Sequence, residues 1–343
     1  MNNIKSKVIN SRPIKYVFTK VNKIILDRSF KKGKIKINPD LIYFAVTNIC
    51  NSNCRFCAYQ YNESPKQVMS FETFKKGLDQ YHEMNGKIVN LTPLAGEPLI
   101  DKNIFEKIKY AKSKNMYTIF NTNAILLNVN ENYKKIIDSG LDLLQISSPG
   151  LDDAAYKRVY RINKYPDILN GIKNILDYKE ETGSKIQISL MARRDRAAGE
   201  LRNDEGIKKI QPYTEKGLIY IDYEGYYEMD SWCGHIKQED LTGIMRIKQA
   251  DSKKPNIPCV RMVRIISILP DGSVRLCGCR YYKTEIDDLI IGNINNNSLK
   301  EIFRSKEFYS ILKNSFDGKW PVACDKCSLY GQYSPLLKAL RMQ

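Results

Sequence analysis

The chain has 343 residues, of which 43% are hydrophobic and 27% charged, and its formal net charge is +17. That composition is globular, the length suits one large domain with a small appendage, and no apolar run reaches the ~18 residues of a membrane span. The amino terminus lacks a secretory signal, so the chain is expected in the cytoplasm, where its nine cysteines read as metal ligands or reactive thiols rather than disulfides.

Residues 1 to 36 hold eleven Lys or Arg against one acid, Asp27, which accounts for ten of the net positive charges. Ile14, Val17, Phe18, Val21, Ile24 and Ile25 recur at helical spacing, so the arm of residues 1–39 is predicted as a basic amphipathic helix. Two readings stay open for it: docking on the main domain, or contact with an anionic surface at the inner face of the membrane. Nucleic-acid contact rests on charge alone and is disfavoured. From residue 40 to about 240, strand-like runs at 41–47, 87–92, 116–123, 142–148, 185–192 and 217–223 alternate with helical periods at 71–84, 102–114, 131–140 and 166–183. Gly140 and Gly183 stand where helices end. Six strands joined by helical crossovers predict an α/β fold with a parallel sheet, flat or curved toward a barrel. The texture changes at DSKKPNIP, before a hairpin-like stretch, and residues 241–343 are read as a second, smaller domain.

Cys50, Cys54 and Cys57 follow the first predicted strand, at the C-terminal edge where parallel α/β folds carry their chemistry. Four thiolates close a metal or cluster site. Three on a cuboidal 4Fe-4S cluster leave one iron open to an outside ligand.

The C-x3-C-x2-C spacing, with Phe56 before the last cysteine, resembles the signature of radical S-adenosylmethionine (radical SAM) enzymes. The resemblance implies a partial (β/α)6 TIM-like barrel, S-adenosylmethionine on the open iron, and an electron donor such as flavodoxin or ferredoxin. It also implies cleavage of that cofactor to a 5′-deoxyadenosyl radical that abstracts hydrogen. LAGEP (94–98) resembles the family's Gly-Gly-Glu-Pro element, with Ala95 in place of its first glycine. The element's contact with the methionine amino group carries over to Gly96 and Glu97, and Pro98 shapes the turn. Asn121, Thr122 and Asn123 resemble the Thr-Asn-Gly segment after the third strand. In QISSPG, Ser147 or Ser148 takes the place of a ribose contact, and Arg193 stands where some members have a polar group near the ribose or carboxylate.

A second cysteine group follows: Cys259, Cys277 and Cys279 around a Pro270-Asp271-Gly272 turn, then Cys324 and Cys327. With IGNINNNSLKEIF it resembles the SPASM extension, and especially its shortened twitch form, a β-hairpin plus helix. The resemblance implies one auxiliary 4Fe-4S cluster on Cys259, Cys277, Cys324 and Cys327, with a zinc ribbon as the alternative. Cys279 is a candidate hydrogen donor, which would make the enzyme an epimerase, and Cys233 in SWCGH reads as a buried thiol. His82 and His235 have no ligand spacing. Together these features predict hydrogen abstraction from a sugar or cyclitol-type substrate, giving dehydrogenation or epimerisation, with a phosphate- or lipid-linked carrier suiting the basic arm. Peptide crosslinking or epimerisation is the second reading and nucleic-acid modification the third. An iron-sulfur binding module on the membrane, without catalysis, is the reading outside enzymes.

Overall fold

A computed structural model describes residues 12–32, 35–37, 39–249, 256, 258–278, 287–325, 327–330 and 341–342, with 12–20, 22, 35–36 and 341–342 described by backbone alone. Six parallel strands carry the main domain: β1 (Leu41–Phe44), β2 (Ile88–Asn90), β3 (Tyr117–Thr122), β4 (Leu143–Ser148), β5 (Gln187–Arg193) and β6 (Tyr220–Tyr226). They pair in chain order, each with the next. Helices cross between them, among them α1 (Arg12–Lys31) ahead of the sheet and then α2 (Phe71–Glu83), α3 (Ile104–Ser113), α4 (Asn132–Asp138), α5 (Tyr165–Thr182) and α6 (Glu205–Glu215). Local sequence sets their ends. The Ser70 hydroxyl caps α2 by accepting from Thr73 N–H, and Gly183 ends α5 in the left-handed region at φ 62°, where a Cβ would be strained.

The strands alternate as a barrel wall requires. Thr118, Phe120, Thr122, Leu144, Ile146, Ser148, Ile188, Leu190 and Ala192 are fully or almost fully buried and form the helix-side layer of the core. The alternate face carries Asn121, Gln145, Ser147, Ser189, Met191 and Arg193. Register puts Asn121 beside Gln145 and Gln145 beside Ser189, one level of the interior. This partial barrel is the α/β architecture expected from the sequence.

The predicted hairpin forms from β7 (Ile265–Ile268) and β8 (Ser273–Leu276), followed by β9 (Ile290–Asn293). Gly272 turns it at φ 86°. The hairpin is not a detached body, since β7 lies parallel to β1, from Ile265 beside Leu41 to Ile268 beside Phe44, and extends the barrel sheet to nine strands. Near the expected boundary at residue 240, Glu228 and Met229 pair with Arg246 and Ile247.

The described part of the basic arm is helical and docks on α7 (Lys306–Phe316) of the C-terminal region. Leu26 is fully buried there, Phe30 stacks on Tyr309 with ring centroids 4.0 Å apart, and Lys23 pairs with Asp317 at 2.5 Å. Val21 and Ile24 are exposed. The side chains of Ile14, Val17 and Phe18 lie outside the described residues, as do residues 1–11. Among the described residues no helix is long and apolar enough to cross a membrane.

Candidate active site and auxiliary site

Beyond β1 the chain turns through Thr47, whose hydroxyl donates to Gln67 O and accepts from Ile49 N–H, into the loop carrying Cys50, Cys54 and Cys57. The GEP turn after β2 is stitched to it. Glu97 N–H donates to Ile49 O at 2.8 Å, and at Gly96 a Cβ would come within 2.9–3.1 Å of Pro93 Cβ, Thr47 O and Ile49 O. Only glycine allows that approach. The Glu97 side chain is 1% exposed and accepts from Thr122 Oγ1 at 2.7 Å, Asn123 N–H at 2.9 Å and Leu99 N–H at 3.2 Å. Burial nevertheless pushes its pKa up to about 7, with these donors opposing. Here Glu97 is a strut between the loops after β2 and β3, and Pro98 begins the short turn beyond it.

The three residues at the end of β3 divide the work. Thr122 braces Glu97. Asn123 reaches the cysteine loop, its Nδ2 donating to Asn51 Oδ1 at 2.7 Å and standing 3.9 Å from Cys50 Sγ. Asn121 points its Oδ1 into the interior, buried and without a hydrogen-bond partner.

The two serines after β4 are tied to a π-helical turn, Tyr156–Tyr160. Ser147 Oγ lies 2.7 Å from Tyr160 Oη, whereas Ser148 is buried, with its hydroxyl donating to Gly150 O and 2.9 Å from Tyr156 Oη. The turn also backs the cysteine loop. Ser52 Oγ donates to Tyr160 O and sits 3.2 Å from Cys54 Sγ, Arg55 N–H donates to Val159 O, and Phe56 meets Tyr160 edge-on. π-turns concentrate at functional sites, yet no sequence period announces this one. At the rim, Arg193 lies over the Tyr226 ring at 4.3 Å with its Nη1 buried and unpartnered.

Burial raises all three thiols, Cys50 to about 12, Cys57 to about 11, and Cys54 well above the ordinary thiol value. Three neighbouring thiolates at one loop therefore need positive charge among them. An iron cluster supplies that charge, so the donor set fits a three-thiolate 4Fe-4S site.

Cys259, Cys277, Cys324 and Cys327 come together in the C-terminal region, since the charges of the other three act on Cys324, which burial raises first. Cys259 and Cys327 are buried, and Cys277 holds a left-handed φ of 69°. Its N–H donates to Ile265 O, beside the start of β1, while Cys50 lies beyond the other end of that strand. Among the described residues no three His, Cys, Asp or Glu are arranged around a single metal ion. One segment bonds beside a cysteine of each group: Trp232 Nε1 donates to the carbonyl of Phe56, next to Cys57, at 2.9 Å, and Cys233 Sγ donates to that of Ala323, next to Cys324, at 3.2 Å. Trp232 and Cys233 are both left-handed, at φ 47° and 60°, a conformation costly for non-glycine residues. The sequence marked SWCGH only for its thiol; the tryptophan was the part to notice. Cys279 lies outside the described residues.

An open cavity of about 620 Å³ lies at the N-terminal ends of β4 to β6, away from Cys50, and shares Ser189 with the interior face.

Residues 44–194 match the family profile of the Radical SAM superfamily, and residues 259–328 match that of an iron-sulfur cluster-binding domain, SPASM. The chain belongs to the radical SAM superfamily. Membership brings S-adenosylmethionine, a 4Fe-4S cluster and, with the SPASM domain, an auxiliary 4Fe-4S cluster. Among curated relatives, a probable GTP 3′,8-cyclase of Methanococcus maripaludis is 29% identical over 136 residues, 39% of this chain and 44% of the relative. The GTP 3′,8-cyclase of Campylobacter curvus is 24% identical over 233 residues, 64% of this chain and 67% of the relative. The chain thus spans less than half of the first relative and about two thirds of the second. In fold, it is similar to the crystal structure of BtrN in complex with AdoMet and 2-DOIA, with a TM-score of 0.52 and 15% identity over 86% of this chain and 97% of that one. What is shared at that level is the fold.

Proposed function

We propose that the chain abstracts hydrogen from a carbon of a sugar or cyclitol-type substrate and oxidises it. The observation that carries this reading is the barrel interior, where Asn121 Oδ1, Ser189 Oγ and Arg193 Nη1 are buried without partners on one face of the wall. A buried polar atom left bare costs ~1–3 kcal/mol, so the interior suits a ligand bearing hydroxyls rather than an apolar one. When bound, the first cluster supplies the electron that cleaves S-adenosylmethionine to the radical, and the auxiliary cluster supplies an acceptor for the electron left on the substrate carbon.

The chain's own residues supply position and dryness. Gly96 lets the GEP turn close on the cysteine loop, Asn123 fixes Asn51 and with it the approach to Cys50, and Tyr160 holds Ser147 toward the interior. Arg193, its plane set by Tyr226, offers one N–H to an acceptor at the rim. Such preset donors lower the barrier by orientation rather than by new chemistry. In the overall reaction the substrate carbinol loses a hydrogen atom to 5′-deoxyadenosyl, then one electron and the hydroxyl proton, and becomes a carbonyl. The fold likeness to BtrN, solved with AdoMet and 2-DOIA, supports the substrate class.

The test is anaerobic reconstitution with dithionite and S-adenosylmethionine, followed by a panel of cyclitols, sugars and sugar nucleotides. The expected result is 5′-deoxyadenosine and methionine, with one carbonyl product per deoxyadenosine for an accepted compound. No deoxyadenosine would end the enzymatic reading; an inverted, unoxidised product lost in Cys279→Ala would replace oxidation with epimerisation.

A further inference from the structure

Arg275 is the largest fully buried side chain of the described residues, and it stands on β8 two residues before the ligand Cys277. A guanidinium stays charged wherever it is buried, so its five N–H donors must be met inside the protein. Most are. Nε pairs with Asp287 Oδ2 at 2.5 Å, and Nη1 donates to the carbonyls of Leu276 and Cys277 at 3.2 and 3.1 Å. Nη2 is buried and has no partner. Burying a charge with one arm bare is unfavourable unless that arm meets something the polypeptide does not supply.

The surroundings name the group. The carbonyl that Nη1 holds is that of Cys277, one of the thiols assigned to the auxiliary cluster, and the strand that carries Arg275 leads directly into it. We propose that Arg275 is a positioning residue for the auxiliary cluster: Nη2 donates a hydrogen bond to a cluster or cysteine sulfur, and its charge raises the cluster's reduction potential. A 4Fe-4S cluster on four thiolates is anionic, and reduction adds a further negative charge. A fixed cation and a donor at its sulfurs stabilise the reduced form more than the oxidised one. Asp287 is the counterweight. Paired to Nε, it offsets part of the guanidinium charge, so Arg275 and Asp287 together set the potential from opposite sides.

This assignment rests on the auxiliary cluster and not on the identity of the substrate. Its consequence is functional: a cluster held at higher potential takes an electron from a substrate radical more readily, which favours oxidation over simple hydrogen return.

The test is a redox titration of the reconstituted protein followed by electron paramagnetic resonance, in wild type, Arg275→Gln, Arg275→Lys and Asp287→Asn. Signals of the two clusters are separated by repeating the titration in a Cys50→Ala, Cys54→Ala, Cys57→Ala background. The expected result is opposite shifts of the auxiliary midpoint, lower in Arg275→Gln and higher in Asp287→Asn. Arg275→Lys keeps the charge but not the fork and should fall between wild type and Arg275→Gln. A residue that only supports the fold would not give opposite signs. Midpoints unchanged within error, or shifted the same way by both substitutions, would overturn the proposal. If Arg275→Gln fails to load iron, the Lys and Asn variants decide it: a lower midpoint in the first with a higher one in the second supports the proposal, and any other pattern overturns it.

Discussion

Glu97→Gln isolates the competition between burial and hydrogen bonding at the heart of the cofactor end. The Glu97 carboxyl rises from an ordinary value of 4.5 to about 7 because burial outweighs its three donors. A rise of that size corresponds to on the order of 3 kcal/mol of pH-dependent stability. The sign follows from the raised folded value: the contribution is complete below about pH 4.5 and is lost as pH climbs through about 7, since the unfolded chain ionises first. Glutamine removes that dependence, but its amide oxygen cannot satisfy Thr122, Asn123 N–H and Leu99 N–H together. One unmet buried donor costs ~1–3 kcal/mol at every pH. The variant should therefore be less stable than wild type at pH 5, and equal or more stable at pH 8. Urea midpoints of the cluster-free chain, followed by circular dichroism at both pH values, measure the difference. A gap of the same size and sign at pH 5 and pH 8 would show that the carboxyl stays ionised in the fold, and the account of Glu97 as a burial-dominated strut would fail.

Three further outcomes are expected. Gly96→Ala forces a methyl within 2.9–3.1 Å of Pro93 Cβ and the carbonyls of Thr47 and Ile49; it should cost ~1–3 kcal/mol and lower iron loading at the first site, read by iron analysis and thermal unfolding. Cys324→Ala removes a proposed auxiliary ligand, and iron and sulfide should fall from about eight to about four per chain, with retention of about eight ruling out its ligation. Leu26→Ala empties a fully buried position under the arm and should destabilise its docking on α7 by ~2–5 kcal/mol, exposing residues 12–31 to limited proteolysis while the barrel stays resistant.

The sequence displayed what is local and hid what is lateral. Cys50, Cys54 and Cys57 could be read because their purpose depends on a spacing of a few residues in one loop. The Pro270-Asp271-Gly272 turn could be read because its backbone demands glycine, whose φ is 86°. The pairing of β7 with β1 could not, since it joins residues more than two hundred positions apart. The arm shows the same division. Its helical period was visible, but docking at Leu26 and Phe30 left Val21 and Ile24 outside, because the buried stripe is fixed by the partner surface as much as by the period.

The lateral contacts give the site its arrangement. The C-terminal end of β1 leads to Cys50, and the start of the same strand lies beside Ile265, whose carbonyl receives Cys277 N–H. Cys277 and Cys50 therefore lie toward opposite ends of one strand. The polar interior row of Asn121, Gln145 and Ser189 stands on neighbouring strands of that same sheet. Trp232 and Cys233, each held in a costly left-handed backbone, hydrogen-bond respectively to Phe56 O, beside Cys57, and to Ala323 O, beside Cys324, so one short segment ties together loops that the sequence separates by more than two hundred residues.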